Sequence, residues 1–509
     1  MTGEPFFVTT AISYPNGRPH IGHAYEAIAT DWLARFARLD GRAVFFLTGT
    51  DEHGLKIAQA ARARGLSPRA FVDEMSSLFR KMAEDLRISF DRFIRTTDPD
   101  HRVCAQALWQ RMAANGDLYL GRYEGWYSVR DEAFWDEADT TLDADGVRRA
   151  PTGTEVTWTV EESWFFRLSR YQERLLDLYD RHPEFVQPAF RLNEMRAFVE
   201  RGLKDLSVSR TSFDWGIPVP GAPGHVMYVW VDALANYLTP TRFWTGEGGW
   251  PWPAQLHVIG KDVMRFHAVY WPAFLMSAGL PLPRRVFGHG FILNRGEKMS
   301  KSAGNVVEPS ELVQAFGLDA VRHFLLRAIP FGQDGEWSPE AIAARANAEL
   351  ANDLGNLAQR VLSMIVRTCG GRMPSARPAT PEDEALAARA RALLPACRSA
   401  HEAVRPDLAL EAIWDMVAAT NLYLTRQAPW TVRRTDPARA EAILWRAADA
   451  LRRVGLLLQA SIPDTAARLL DQLAVPAGAR GFAGFDTPVP TGTPVPEPRP
   501  LFPRLELPA

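Results

Sequence analysis

The sequence predicts an α/β protein with a parallel, doubly wound sheet, an inserted β-rich segment and an all-α helix bundle. Three observations predict it. Strand-like and helix-like stretches alternate through residues 5–115, a segment rich in Trp, Tyr and Glu interrupts them, and an Ala-, Leu- and Arg-rich segment follows. Alternating β and α elements are typical of parallel sheets. The length of 509 residues suits roughly three domains.

The elements follow in chain order. Residues 1–115, the first half of the core, contain the strand-like runs FFVTTAIS, AVFFLTGTD and RFIRTTD, separated by the helical runs AYEAIATDWLARFARLD and KIAQAARARG. Residues 116–224, with TEVTWTVEESWFFRL, are predicted to be an insertion. The βα alternation returns over 225–337 with MYVWVDALANYL, QLHVIG and RVFGHGFIL. Residues 338–475 predict a helix bundle. The Pro-rich tail, 476–509, is expected either free in solvent or extended on the body.

Composition places the chain among ordinary globular proteins of a reducing compartment. It is 47% hydrophobic and 23% charged, with a formal net charge of -2. Three scattered cysteines give no disulfide framework, and the N-terminus carries no secretory signal, so we expect a cytoplasmic protein. The longest apolar run, 266–283, contains a histidine and three prolines, which favours a buried helix over a membrane span.

The segment YPNGRPHIGH predicts a phosphate site. It follows a strand and opens a helix, and helix N-termini carry free N–H groups and a partial positive charge. His20 and His23 share one helix face, and Gly22 between them lets a base or ribose approach the backbone. Neutral imidazoles can donate to phosphate oxygens. Taken alone, the pair is better explained as an ordinary helix cap or as a metal site than as a phosphate site.

A second segment, GHGFILNRGEKMSKSAGNVV, sets Lys298 and Lys301 around Met299 and Ser300 in a glycine-bounded loop. Two ammonium groups on a loop can meet the charge of a departing polyphosphate. A lysine-rich loop is usually only a solvent-exposed loop, so this motif by itself is weak evidence for a phosphate site.

HIGH at 20–23 and KMSKS at 298–302 resemble the two signatures of class I aminoacyl-tRNA synthetases. The blocks YPNGRPHIGH, TGTDEHG, YVWVDALANY, IGKDVMRFHAVYWPA and GEKMSKSAGNV resemble the methionyl-tRNA synthetase family within that class, and the resemblance covers nearly all of 5–475. It implies a Rossmann-type catalytic domain, an inserted connective domain, a stem and an anticodon-binding helix bundle. The implied reaction joins L-methionine to ATP as methionyl-adenylate and then charges initiator and elongator tRNA(Met).

The resemblance also implies roles for matching residues. The expected catalytic groups are His20, His23, Lys298 and Lys301. The expected ATP contacts, with Mg²⁺ accompanying the nucleotide, are His20, Gly22, His23, Lys261, Asp262, Lys298, Met299, Ser300 and Lys301. The expected methionine contacts are Ile12, Tyr14, Asp51, Trp230, Ala233, Tyr237, Val263 and His267. The expected anticodon contacts are Asn352, Asn356, Arg360 and Trp430.

Several of these residues have ordinary structural explanations as well. Trp230, Ala233 and Tyr237 follow helical spacing and fit a plain core stripe. His267 fits either a donor toward the substrate sulfur or a satisfied core histidine. Asp51, at a strand end, fits either an acceptor for the substrate ammonium or an N-cap.

On the tRNA side, Asn352, Asn356 and Arg360 fall at i, i+4 and i+8 and form one polar ridge on a helix. Asn and Arg can make paired hydrogen bonds to base edges. Trp430, after Pro429, suits a stacking platform. Without the resemblance, the polar ridge is explained as the solvent-exposed face of a helix, and Trp430 as an ordinary core residue.

The sequence departs from many relatives in two places. Residues 116–224 contain no cysteine, and YSVRDEAFWDEAD offers Asp and Glu where a zinc knuckle is expected. Structural zinc prefers thiolates and imidazoles, so we predict no metal there and a knuckle held by Trp and Phe packing. The chain ends soon after the bundle, without an appended dimerisation domain, so a monomer is expected.

Three other functions compete with this interpretation. The first is a class I enzyme for leucine, valine or cysteine. The small insertion argues against the leucine and valine enzymes, and the missing zinc-binding thiolates argue against the cysteine enzyme. The second is a non-catalytic relative, against which the intact HIGH and KMSKS motifs count. The third is a small-molecule nucleotidyltransferase, which leaves the Asn/Arg ridge unexplained.

Overall fold

The centre of the molecule is a parallel β-sheet. The computed structural model describes residues 4–128, 133–246, 248–294, 297–298 and 307–506. Within them, six parallel strands lie in the spatial order Arg92–Arg95, Val44–Thr50, Phe6–Thr10, Leu256–Gly260, Val286–His289 and Val186–Gln187. The predicted parallel sheet is therefore confirmed.

The strand order defines where a ligand can bind. Every residue of Phe6–Thr10 is buried, as expected for a strand covered by helices on both faces. The chain builds outward from this strand in one direction through residue 95 and in the other from Leu256–Gly260 onward. The order therefore reverses between these two strands, and the crevice at their carboxyl ends is the usual ligand site of such sheets.

Helices cover the sheet, and several begin with proline. The first-half helices are Ile21–Leu39, Leu55–Ala63, Pro68–Asp85 and Pro99–Ala114. In the second half, the helices are Val229–Leu234, Trp271–Ser277, Pro309–Phe316 and Leu318–Arg327. Two 3-10 turns span Ala235–Thr241 and Lys261–Val263. A π-turn spans Phe266–Tyr270. Proline suits the first helical position because the N–H it lacks would have no partner within the helix.

The insertion is an antiparallel sheet with two helices. Its main strands are Leu118–Ser128, Ala133–Trp135, Thr157–Phe166 and Leu206–Ser207; its helices are Gln172–Arg181 and Ala189–Glu200. Shorter ladders pair Thr141–Leu142 with Arg148–Arg149 and Ser209–Arg210 with Val226–Met227. One feature departs from the sequence prediction. The strand Val186–Gln187 lies within 116–224, yet it joins the edge of the central sheet beside Val286–His289.

Aromatic packing holds the tip of the insertion. Trp126 and Trp158 meet edge to face at 5.4 Å, and the Arg148 guanidinium lies 4.5 Å from the Trp126 ring. Trp126 also pairs with Trp135 across the strands. Tryptophan packing is thus present where the knuckle was predicted; residues 129–132 and the side chain of Phe134 lie outside the described residues.

The C-terminal half is helical, which confirms the predicted bundle. Its helices are Pro339–Arg345, Ala346–Gly355 (a π-helix), Asn356–Thr368, Pro381–Glu402, Pro406–Gln427, Pro429–Val432, Pro437–Leu458 and Pro463–Gln472. A small sheet of Ile292–Asn294, Glu297–Lys298 and Gly335–Trp337 precedes it. Buried residues of the first helix and of the bundle belong to one continuous core. None of the helices in the described ranges is long and apolar enough to cross a bilayer.

The Pro-rich tail lies extended on the body through residue 506. Thr493 and Val495 exchange backbone hydrogen bonds with the segment around Met373. Leu505 makes two hydrogen bonds of 2.8 Å with the Asn347 amide, on the π-helix. Of the two expected states, docking is therefore the one observed, because backbone groups that proline leaves without a helix or sheet find side-chain partners here.

One buried arginine joins the α/β half of the chain to the helix bundle. The Arg322 guanidinium donates to the Asp31 carboxylate at 2.7 Å, to the Leu86 carbonyl at 2.9 Å and to the Ser461 carbonyl at 2.7 Å. Both charged side chains are fully buried. Although burial alone would raise the pKa of Asp31, Arg322 and Arg35 hold it below its ordinary range. The helix that begins at the HIGH motif is thus tied to the helical half.

Candidate active site

The two HIGH histidines cap the first helix at the crevice. His20 Nδ1 accepts the Gly22 N–H at 3.1 Å, and His23 Nδ1 accepts the His20 N–H at 3.1 Å. Their rings lie 3.8 Å apart. Because each Nδ1 is an acceptor, the proton of each neutral ring is on Nε2, where it can be donated to an oxyanion. The cap therefore orients two donors at a dipolar helix end.

Gly22 also leaves room for the side chain of His20. A Cβ at this position would lie 2.9 Å from His20 Cε1 and 3.0 Å from its Nδ1, closer than side chains tolerate. The close approach in the structure is that of the His20 imidazole, which folds back over the helix start. Gly22 thus permits the histidine cap.

A buried acid–base pair lies one turn further along the same helix. His289 Nε2 is 2.8 Å from the Glu26 carboxylate, and its Nδ1 is 2.7 Å from the Gly290 carbonyl. Burial raises the pKa of Glu26 against the opposing effect of His289. Burial would lower the pKa of His289, but its bond to Glu26 outweighs that effect and raises it. The pair holds one proton between the first helix and the strand Val286–His289.

The segment that contains KMSKS begins on a small sheet and ends against the start of this helix. The Ile21 N–H donates to the Val307 carbonyl at 3.0 Å, and Arg18 pairs with Glu308 at 3.2 Å. On the other side, the Lys298 backbone pairs with Leu293. Met299, Ser300 and Lys301 lie outside the described residues, as does the side chain of Lys298.

Lys261 and Asp262 follow the strand Leu256–Gly260 at the crevice. The Lys261 ammonium pairs with Asp334 at 2.6 Å and lies 4.4 Å from the Phe291 ring. The Asp262 carboxylate folds over Gly260, where a Cβ would meet its Oδ1 at 2.7 Å. Asp262 is also close enough to affect the titration of Glu26 and His289. Asp262 therefore faces the same crevice as the acid–base pair.

Two of the predicted methionine contacts, Tyr237 and His267, are buried and lie against each other. The Tyr237 hydroxyl lies 2.7 Å from His267 Nε2, and His267 Nδ1 lies 3.0 Å from the Val263 carbonyl. The carbonyl can only accept, so Nδ1 carries the proton and Nε2 accepts from the tyrosine. Burial lowers the pKa of His267 to about 4. Of the two expected roles, the satisfied core histidine fits these contacts, since the neutral ring has no second N–H to offer.

Most of the other predicted methionine contacts pack in the same apolar cluster. Trp230 stacks on Phe266 with ring centroids 3.5 Å apart and planes 8° apart. Ile12, Tyr14 and Val263 pack, partly buried, on the same apolar cluster as Tyr237. Ala233 is buried on the short helix that carries Trp230. Phe266 was not among the predicted residues, although it belongs to the block that supplied Val263 and His267.

Asp51 stands directly after the strand Val44–Thr50. Its N–H donates to the Ser13 carbonyl at 2.8 Å, which fixes it beside the segment of Ile12 and Tyr14. It is 6% exposed. The helix after it begins at Leu55, with Gly54 as the cap residue and no side-chain cap bond. The alternative of an N-cap by Asp51 therefore fails.

Two buried clusters beside Asp51 were missed in the sequence. The Glu52 carboxylate accepts hydrogen bonds from two nitrogens of the Arg95 guanidinium, at 2.6 and 2.9 Å. His53 Nδ1 and His101 Nε2 each lie 2.6 Å from the Asp232 carboxylate, which is fully buried. The signal was available, since TGTDEHG and YVWVDALANY carry charged residues that an apolar pocket does not require.

The predicted anticodon residues are all exposed on the bundle. Asn352 lies on the π-helix, while Asn356 and Arg360 lie on the helix after it. Arg360 hydrogen-bonds the Asn421 side chain on Pro406–Gln427, the helix that leads to Trp430. Trp430 is 42% exposed. Exposed arginines flank it along the chain, namely Arg426, Arg433 and Arg434. An exposed ring among guanidinium groups suits an unstacked nucleotide.

In the described ranges, no group of three or more His, Cys, Asp or Glu side chains is placed to hold a metal ion.

A parallel sheet with a histidine-capped helix at its switch point, followed by a helix bundle, is the architecture of the class I tRNA synthetases. A family model described as tRNA synthetases class I (M) matches residues 6–362, and one described as anticodon binding domain of methionyl tRNA ligase matches 373–506. The chain is 57% identical to the methionine–tRNA ligase of Brucella suis over 99% of its length and 98% of the relative. The chain belongs to the methionine–tRNA ligase family.

Solved structures agree with this assignment. The methionyl-tRNA synthetase of Mycobacterium tuberculosis in complex with methionyl-adenylate superposes with a TM-score of 0.96 at 53% identity, covering 99% of this chain and all of that one. Its apo form gives a TM-score of 0.90 at 49% identity, covering 99% of each chain. The fold therefore holds over the whole length of those proteins.

Proposed function

We propose that this chain activates L-methionine with ATP and transfers the methionyl group to the 3′ terminal adenosine of tRNA(Met). The observation that carries the proposal is the histidine-capped helix at the switch point, whose Ile21 N–H donates to the Val307 carbonyl at the end of the segment that contains KMSKS. In the first step the methionine carboxylate forms a bond to the α-phosphorus, and the bond from that phosphorus to the β-phosphate oxygen breaks to release pyrophosphate. In the second, the adenosine hydroxyl attacks the acyl carbon and AMP departs.

Catalysis needs no protein nucleophile, so positioning and charge stabilisation supply the rate. His20 and His23 present Nε2 donors toward the phosphates, and Lys298 and Lys301 meet the charge that develops on pyrophosphate, with Mg²⁺ accompanying ATP. Gly22, Met299 and Ser300 contribute backbone groups to the same nucleotide. Asp262, in the crevice, takes the ribose side, and Lys261 holds that turn through Asp334.

Methionine occupies the pocket of aromatic and aliphatic groups beside Asp51. An unbranched thioether favours aromatic edges, which Trp230 and Tyr237 provide. Asp51 accepts from the substrate ammonium. His267 acts through Tyr237, whose hydroxyl it fixes. The remaining contacts of the pocket are Ile12, Tyr14, Ala233 and Val263.

The bundle selects the tRNA. We assign the anticodon contacts to Asn352, Asn356, Arg360 and Trp430, which are exposed on neighbouring helices. Initiator and elongator tRNA(Met) carry the same anticodon chemistry, so both are substrates. We further propose a cytoplasmic monomer without structural zinc; size measurement by light scattering and metal analysis of the purified protein check these two points.

The test is methionine-dependent exchange between ATP and pyrophosphate. Lys301→Ala should slow exchange about 10²–10³-fold, the scale for losing one preorganised donor. Lys204→Ala serves as the control, because Lys204 is an exposed lysine on the insertion that pairs with Asp136. Exchange at the wild-type rate in Lys301→Ala would refute the assigned role.

A further inference from the structure

Two segments far apart in sequence carry residues that the proposed function assigns to the walls of the methionine pocket. One follows the strand Val44–Thr50 and carries Asp51 and His53; the other carries Trp230, Asp232 and Ala233 on a short helix. His53 is two residues from Asp51, and Asp232 lies between Trp230 and Tyr237 next to Ala233. A hydrogen bond between His53 and Asp232 therefore connects the two walls directly.

The bond between His53 and Asp232 is short and buried, and His101 binds the other oxygen of the same carboxylate. His53 Nδ1 lies 2.6 Å from Asp232 Oδ2, and His101 Nε2 lies 2.6 Å from Asp232 Oδ1. The side chains of Asp232 and His101 are fully buried, and that of His53 is 10% exposed. His101 Nδ1 in turn lies 3.3 Å from the Thr239 hydroxyl, on the turn that carries Tyr237. The carboxylate thus joins three separate segments.

The proton positions follow from the acceptor in the middle. A carboxylate can only accept, so each imidazole directs an N–H at Asp232. Burial would raise the pKa of Asp232, but the two imidazoles hold it below its ordinary value. Charge-assisted bonds of this kind are about twice as strong as neutral ones. The arrangement is therefore rigid enough to fix the distance between the segments it joins.

We propose that His53, Asp232 and His101 form a clamp that sets the width of the methionine pocket. The three residues are positioning residues: they act through Asp51, Trp230 and Tyr237. The clamp concerns the methionine site of the proposed function, and this inference therefore rests on that proposal. A width fixed in this way matches a narrow, unbranched side chain, and a clamp at the amino-acid pocket leaves the nucleotide crevice unaffected.

The test compares variants that keep the N–H donor with variants that remove it. The amide nitrogen of asparagine reaches the place of His Nδ1, so His53→Asn preserves the bond to Asp232, whereas His53→Ala deletes it. His101→Gln preserves the donor at Nε2 in the same way. Asp232→Asn removes the negative charge and replaces one of the two acceptor oxygens by an N–H donor, so only one of the two imidazoles keeps its acceptor. Asp383→Asn is the matched control, since Asp383 is a buried carboxylate of the bundle bound by Tyr423 and Arg439.

The readouts are the KM for methionine, the KM for ATP and kcat in pyrophosphate exchange. His53→Ala and Asp232→Asn should raise the KM for methionine about 10- to 100-fold, the scale of one lost hydrogen bond to a charged group. The KM for ATP and kcat should stay within about threefold of wild type, as for a loss of uniform binding. His53→Asn, His101→Gln and Asp383→Asn should keep all three values near wild type.

Two results would overturn the clamp. If His53→Asn loses as much methionine affinity as His53→Ala, the histidine acts through its other edge and not through Asp232. If the KM for ATP or kcat changes as much as the KM for methionine, the cluster is merely structural. Should Asp232→Asn fail to fold in a thermal melt, the two His53 variants decide alone. Absence of methionine-dependent exchange in the wild type would instead overturn the proposed function.

Discussion

Replacing Trp430 by alanine separates tRNA recognition from methionine activation. Trp430 lies after the helix Pro406–Gln427 and is 42% exposed. A fully buried tryptophan covers up to about 250 Å², so about 100 Å² of this ring remains available to a ligand. At about 25 cal/mol per Å², covering that area is worth about 2.5 kcal/mol. This agrees with the range of about 1–3 kcal/mol for one base stacked on an aromatic side chain.

The expected result is a selective loss. The KM for tRNA(Met) in aminoacylation should rise up to about 70-fold, the equivalent of 2.5 kcal/mol. Methionine-dependent pyrophosphate exchange, which needs no tRNA, should be unchanged. The part of the ring that is already buried stays buried with and without tRNA, so its loss affects stability but not recognition.

Leu408→Ala is the matched control. Leu408 is 41% exposed, nearly the same as Trp430, and lies at the start of the helix Pro406–Gln427, roughly 28 Å at 1.5 Å per residue from the end of the helix that leads to Trp430. It should leave the KM for tRNA unchanged. If Trp430→Ala damages exchange and aminoacylation equally, Trp430 is structural and the reasoning fails.

Two further predictions concern stability. Arg322→Met removes the guanidinium from the fully buried Asp31 carboxylate and should cost about 3–5 kcal/mol, seen as a lower urea midpoint; an unchanged midpoint would contradict the role of this pair as a tie between the halves. Arg439 and Tyr423 hold the pKa of Asp383 at about 2, against about 3.9 in unfolded chains. This lowered pKa stabilises the fold above about pH 4, and the stabilisation is lost as pH falls toward 2. The difference in unfolding free energy between wild type and Asp383→Asn should therefore shrink as pH falls from about 4 to about 2. A difference that does not change with pH would show that the lowered pKa of Asp383 does not stabilise the fold.

The strands and helices that position the site could be predicted because their patterns are long. The runs FFVTTAIS, AVFFLTGTD and QLHVIG became parallel strands, and the helix after HIGH begins at Ile21. The edge strand Val186–Gln187 could not be predicted, since two residues carry no periodicity. The π-helix Ala346–Gly355 was missed for a related reason: its composition is that of an ordinary α-helix, and tertiary packing decides the hydrogen-bond register.

The sequence suggests candidate residues for the site, but it does not show the contacts between their side chains. Sequence alone suggested His267 as a possible donor to sulfur, whereas its two nitrogens are used by Val263 and Tyr237. The clamp around Asp232 depends on His101, which stands outside every recognised block. Spacing along the chain shows which side chains are near a site; which atom donates to which depends on three-dimensional contacts between distant segments.

The most direct measurement of the central claim is pyrophosphate exchange by the wild-type protein, tested with each of the standard amino acids in turn. Methionine should support exchange far faster than any other amino acid, and His20→Ala should abolish most of that rate because the cap presents its donors to the triphosphate. Equal exchange with leucine or valine, or a His20→Ala variant as active as wild type, would contradict the account.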